Sequence, residues 1–154
     1  MAANQGVITT EANVSCVAVT EITVLQLATS ATVRAKIIGW GIYFNGISAI
    51  GEPVDVKLYR TTTAGSGGTA NNPKKVDDSI ASGLQITGNR GVSTLGSAGD
   101  ILKQIKVHPQ QGYEYNAPFS REIIVALLGW LNINVTVPSG GSTLSARAFF
   151  HYEE

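Results

Sequence analysis

The chain has 154 residues, which is most simply one domain, and a domain of that size buries roughly 68–70% of its unfolded surface without staples. Charged residues make up 14% and the formal net charge is +0, so there is neither a basic field for nucleic acid nor an acidic one for cationic partners. A single cysteine, Cys16, excludes an internal disulfide and any multi-cysteine metal site.

Residues 1–13 are polar and read as an extended N-terminal arm, followed by a single domain over 14–154. The apolar run Val14–Ala28 is broken by Thr20-Glu21 and shows period-2 features, so it is neither a signal segment nor a membrane span. It divides into short strands at Val14–Val19 and Ile22–Leu27, with Cys16 as a small core hydrophobe. The sequons at Asn13 and Asn134 are read as coincidence, since no secretory signal accompanies them.

The stretch Ala31–Gly46, "ATVRAKIIGWGIYFNG", places the bulkiest side chain, Trp40, between Gly39 and Gly41. Strand parity puts Trp40 on one face with Ile38, Ile42 and Phe44, and the two glycines on the other. There they leave room for a second backbone or ring to approach, or for the strand to bend. Arg34 and Lys36 share the parity of Trp40, so their end of the strand must leave the core or be interrupted by a bulge. An Asn45-Gly46 turn is expected to end the strand.

Val54, Val56 and Leu58 then alternate with Asp55, Lys57 and Tyr59, as in a half-buried strand. Thr61–Asp100 is mostly Gly, Ser, Thr and Asn and reads as a long loop excursion, pinned at most by Ile80, Leu84 and Ile86. Further strands are expected at Ile101–Val107 and Glu122–Leu127. Leu131, Ile133, Val135 and Val137 alternate with Asn132, Asn134 and Thr136, which implies one apolar and one wet face. The last strand, Thr143–Tyr152, places Leu144, Ala146, Ala148 and Phe150 opposite Arg147 and His151. With turn signals between these runs and no amphipathic helix, the fold class is all-β: a single-domain antiparallel β-sandwich or jelly-roll-like barrel with a long Gly-rich loop.

No motif carries catalysis, and the chain is read as a non-enzyme without a cofactor. Gly65-Ser66-Gly67-Gly68 lacks the spacing and the following helix of a phosphate loop. Asp55, Asp77 and Asp78 lack the spacing of a calcium loop. His108 and His151 belong to no ligand cluster. The rings of Trp40, Tyr43, Tyr113, Tyr115 and Trp130 suit either a carbohydrate platform or core and subunit packing.

The stretch from Val33 to Gly65, "VRAKIIGWGIYFNGISAIGEPVDVKLYRTTTAG", resembles a group of small virion proteins of tailed bacteriophages. The resemblance lies in Arg34 and Lys36, Gly39-Trp40-Gly41, Phe44-Asn45-Gly46, Ser48-Ala49, Pro53-Val54 and Arg60–Gly65. It extends through "KKVDDS", "VHPQQGYEY", "PFSREIIV" and the ending "HYEE", covering the chain from about Leu25 onward. It implies a non-enzymatic jelly-roll-like capsid cement or decoration protein, made in the bacterial host cytoplasm and carried on the outer surface of the virion. Its implied partners are the major capsid protein and itself, as a homotrimer, with neither nucleic acid nor membrane. Capsid contacts are expected at Asn4, Gln5, Val7, Asn71, Asn72, Lys74 and Lys75, and self-association on Tyr113 and Tyr115. The rival readings are a receptor- or glycan-binding virion module and a tail or neck component.

Overall fold

The computed structural model describes residues 4–45, 52–77, 79 and 83–154. Thirteen strands occur among them: β1 (Gln5–Thr9), β2 (Val14–Cys16), β3 (Glu21–Ala28), β4 (Ala35–Asn45), β5 (Val54–Thr61), β6 (Thr69–Asn71), β7 (Lys74–Lys75), β8 (Thr87–Val92), β9 (Ala98–Val107), β10 (Tyr113–Asn116), β11 (Ile123–Val125), β12 (Trp130–Thr136) and β13 (Leu144–Glu153). They form two antiparallel sheets packed as a β-sandwich, which do not close into a barrel. The first sheet runs β10-β4-β13-β1-β7, with β11 also on β4 and β2 on β13; the second runs β6-β8-β3-β12-β5-β9.

Alternation decides which residues meet between the sheets. Val54, Val56 and Leu58 from β5, Leu131, Ile133 and Val135 from β12, and Ala146, Ala148 and Phe150 from β13 are all buried in one cluster. Cys16 belongs to the same cluster, and burial pushes its thiol up to about 12, so it stays protonated and unreactive at neutral pH.

In β4 the expected bulge is present. His151 pairs with Gly39 and Tyr152 with Ile37, so Ile38 is the extra residue. The parity flip turns Ala35 and Ile37 inward along with Trp40, Ile42 and Phe44, while Lys36 faces out. The glycines flanking Trp40 serve the reverse face. Phe149 lies directly opposite Gly41, and a Cβ at Gly41 would come within 2.5 Å of its ring. That ring stacks on Tyr43 at 6.4 Å between centroids. A glycine therefore sits where a neighbour's ring covers the strand.

Four expectations are corrected. Residues 5–9 are not an arm but β1, an interior strand between β13 and β7, with Ile8 fully buried. The span Thr61–Asp100 is not one loop: it holds β6, β7, β8 and the start of β9. These pieces are short and Gly/Thr/Asn-rich, so they show no alternation, yet β6 and β8 still pair in register. Ile86 and Val92 anchor this span in the interior, whereas Ile80 lies outside the described residues.

The polar face of β12 is not wet, because Asn132 and Asn134 are 1% exposed. Asn132 accepts from Gln26 Nε2 at 2.7 Å and donates to Thr61 Oγ1 at 3.1 Å. Asn134 accepts from Thr23 Oγ1 at 2.8 Å and donates to Glu21 Oε1 at 3.0 Å. A hydrogen-bonded ladder of side chains thus crosses the outer face of the second sheet, where burial is tolerable because partners are supplied.

The fourth correction concerns strand extent. The first strand expected at Val14–Val19 stops at Cys16, and Val17 and Val19 are exposed. Val19 has a positive φ of 64°, a costly conformation for a β-branched residue. Gly46, Ser48, Ala49 and Gly51, on which a turn and part of the resemblance were placed, lie outside the described residues.

Candidate functional site: a free sheet edge and the pocket behind it

β10 and β11 pair with successive residues of β4, Gly39–Ile42 and Ala35–Ile37, and so share its free side as an interrupted edge strand. Along this edge and the turns beside it, Phe119 is 91% exposed, Leu128 61%, Ile124 48% and Leu127 42%. Two of these side chains stand at strained turns. Leu128 itself has φ 54°, and Ser120, next to Phe119, has φ 66°. Outside glycine such backbone costs on the order of 1–3 kcal/mol each and persists where surrounding structure over-determines it. Here the turn after β11 is held by Leu128 N donating to Ser30 O and by Thr29 Oγ1 donating to Ala126 O.

Behind the edge the two sheets splay open. A pocket of about 560 Å³ lies between β4, β10 and β11 on one side and β5 and β9 on the other. Trp40 and Tyr115 supply rings, and Arg60, Lys103 and Glu122 supply charge. Register explains the rings: Tyr115 pairs with Trp40 and Tyr113 with Ile42, so both tyrosines share the inward face of Trp40. Trp40 and Tyr113 meet at 5.2 Å between centroids. Lys103, reaching across from the second sheet, donates to the Tyr113 hydroxyl at 2.5 Å. Its ammonium lies 5.0 Å from the Tyr113 ring centroid and 4.8 Å from that of Tyr115, a cation–π clamp that ties the sheet edges together.

Glu122, at the pocket rim, is held by Lys36 at 3.4 Å, and Lys36 also reaches Glu153 at 3.3 Å. The Glu122 carboxyl lies below its usual range, chiefly through a backbone amide and then through Lys36. Glu153 is lowered by the Gln5 side chain and by Lys36, and Lys36 is raised by the two carboxylates, Glu153 first. Depressed carboxylates stabilise the fold above their unfolded range and lose that contribution as pH falls through their folded values. A raised lysine loses its contribution only as pH climbs past its own folded value. The urea midpoint is therefore expected to drop below about pH 4, and Lys36→Met to make that acid slope shallower. Equal acid slopes in the two proteins would refute the coupling.

The candidate capsid-contact residues gather at the opposite edge. Val7 pairs with Lys74 and Gly6 with Lys75 across β1 and β7. Asn72 and Lys74 are exposed and Val7 is half-buried. Gln5 Nε2 donates to Glu153 Oε1 at 2.9 Å, and the Asn4 carbonyl accepts from Glu154 N at 2.8 Å. Asn71 is 2% exposed; it donates to the Thr9 carbonyl and accepts from Arg90 at 2.8 Å. Its side chain is committed to closing this edge of the sandwich and is not available to a partner. Tyr113 and Tyr115, expected as a self-association patch, are half-buried, with Lys103 lying over both rings.

Of the five rings considered as a platform, the fold unites Trp40, Tyr113 and Tyr115. Tyr43 lies on the outer face, its hydroxyl donating to Glu114 Oε2 at 2.7 Å, and Trp130 lines a separate pocket of about 310 Å³. No family model, no curated protein and no solved structure matches the chain. Sequence reasoning missed Phe119, Ile124, Leu127, Leu128, Arg60, Lys103 and Glu122. The signal available for the apolar set was the run Ile123–Leu128, longer and more continuous than a three-residue half-buried strand needs.

Among the described residues no group of three or more His, Cys, Asp and Glu is placed to hold a metal ion. Asp55 is paired with Lys106 at 3.3 Å. Asp77 caps its own turn by accepting from the amide and hydroxyl of Ser79, which lowers its carboxyl, and Asp78 lies outside the described residues.

Proposed function

We propose that this chain is a non-enzymatic virion structural protein, a capsid cement or decoration protein of a tailed bacteriophage. It sits on the outer capsid surface as a homotrimer and bridges neighbouring major capsid proteins. The observation that carries the reading is the row of exposed apolar side chains on one free sheet edge. Phe119, Ile124, Leu127 and Leu128 are exposed apolar side chains on β11 and the turns at its two ends, a feature of interaction surfaces rather than of a freely solvated edge. The low charge of the chain and its resemblance to small virion proteins support it as well.

The mechanism is linkage. A protein that binds only the expanded lattice stabilises that lattice by mass action against the packaged DNA, and repetition around the shell multiplies modest contacts. Virions lacking the protein are expected to release DNA at a lower temperature, with added protein restoring the original value. A Phe119→Ser/Leu128→Ser double variant, both positions being exposed, is expected to fold yet fail to restore it. An unchanged release temperature on removal would sink the cement reading and favour a tail or neck position.

A further inference from the structure

The pocket behind the free edge shares only Ile124 with the exposed strip of the cement reading, and its chemistry is specific. Arg60 and Lys103 both line it, and neither has a carboxylate partner among the described residues. Arg60 spends Nη2 on the Ile124 carbonyl at 2.8 Å, leaving most of its five donors. Lys103 spends one proton on the Tyr113 hydroxyl and keeps two. Glu122 shares Lys36 with Glu153, and with two cations against one carboxylate the pocket lining carries net positive charge, with one fixed acceptor at its rim.

The walls are apolar: Leu58, Leu102, Ile123 and Ile124 complete the space around the two rings. Trp40, which also lines the pocket, is 1% exposed and forms its floor, and its indole Nε1–H has no acceptor among the described residues. The volume, about 560 Å³, lies within the roughly 300–1,000 Å³ of small-molecule sites.

We propose that this pocket binds a carboxylated sugar ring of the hexuronate type, with its carboxylate on Arg60 and Lys103, a hydroxyl on Glu122 and its apolar face against Leu102, Ile123 and the edge of Tyr115, above the buried Trp40. A neutral sugar leaves two cations unmatched, and a flat aromatic acid leaves the Glu122 acceptor unused. A ring acid with hydroxyls satisfies all three features. The site works whether the uronate is free or terminates a longer glycan, and it does not depend on any role in the capsid.

The test is titration of the full chain with glucuronate, glucose and benzoate, followed by calorimetry and by the two tryptophan indole ¹H–¹⁵N resonances. Trp40→Phe assigns the Trp40 signal. Glucuronate is expected to bind, to move the Trp40 indole resonance, and to weaken at least about tenfold in Arg60→Gln, the loss of a charge-assisted bond. Lys103→Gln also releases the two tyrosine rings, whereas Arg60→Gln gives up one bond to the Ile124 carbonyl, so Arg60→Gln is the milder probe of charge, and Glu122→Met, which removes the acceptor, should lower the preference for glucuronate over benzoate. A uronate oligosaccharide binding more tightly than the monosaccharide would identify a glycan terminus as the source, and equal affinity a free sugar acid. No shift of the Trp40 indole, glucose binding as well as glucuronate, benzoate binding as well as glucuronate, or wild-type affinity in Arg60→Gln would each overturn the proposal. Loss of the pocket would leave the heat-release result untouched, so the two readings fail separately.

Discussion

Asn132→Leu is expected to destabilise the protein by about 3 kcal/mol, since it orphans two buried groups at ~1–3 kcal/mol each. The groups are Gln26 Nε2, which donates to Asn132 Oδ1, and Thr61 Oγ1, which accepts from Asn132 Nδ2; both residues are buried. Leucine keeps the heavy-atom branching of asparagine and leaves no cavity, so the loss measures polar satisfaction together with the added bulk of two methyl groups. Gln26 Oε1 has no partner among the described residues, so Gln26 enters the native state with a cost of its own. The Gln26→Leu/Asn132→Leu double variant is therefore expected to be more stable than the sum of the single effects by at least about 1 kcal/mol. Removing both ends of a buried hydrogen bond is far cheaper than removing one. Urea unfolding of the four proteins checks this, and strict additivity would mean that the ladder is solvated after all.

That ladder also marks a limit of what a sequence discloses. Alternation in β12 correctly identifies which residues face the core, since Leu131, Ile133 and Val135 are fully buried. It says nothing of whether the other face is dry. Asn132 is dry because β3 on one side offers Gln26 and β5 on the other offers Thr61 and the Tyr59 carbonyl, partners 106, 71 and 73 residues away in the chain. A local pattern holds no record of such neighbours. That β4 must either leave the core or bulge was legible, because two cations and a tryptophan with the same parity cannot share an apolar face; the bulge's position at Ile38, a residue the parity had placed beside Trp40, was not. The strands β6, β7 and β8 were not, because they pair through their backbones with few apolar side chains to show a period.

The same division holds for the pocket. Trp40, Tyr113 and Tyr115 drew attention singly, as rings on strands, and register alone brings them to one face. Arg60, Lys103 and Glu122 come from three strands or their flanks and carry no shared spacing. Only pairing the second sheet's edge with the first makes them neighbours. The exposed strip fared differently: the apolar run Ile123–Leu128 is visible in the sequence, but it reads as a strand core. Its exposure follows from β11 being only three residues long and standing on a free edge.

Ile8→Ala is expected to cost about 2–5 kcal/mol, the range for truncating a fully buried aliphatic side chain. For a chain of this size the melting temperature would fall on the order of 10 °C. Ile8 is 0% exposed and projects from β1 across to the second sheet, where a Cβ at Gly88 would fall within 2.3 Å of its Cδ1. Gly88 is thus the space into which Ile8 fits, and the two sheets meet there without slack. Alanine at position 8 leaves a cavity that Gly88, with no side chain, cannot fill. An extended arm ordered only on a capsid would give the opposite result, a melting temperature unchanged in the free protein and a loss confined to capsid binding. The distinction matters for testing the proposed capsid contact. Because β1 pairs with β13 over five residues and with β7 beyond, deleting residues 1–13 removes an interior strand. Loss of capsid binding in such a deletion would report unfolding, and the contact must be sought with substitutions at exposed positions such as Asn72, Lys74, Phe119 and Leu128.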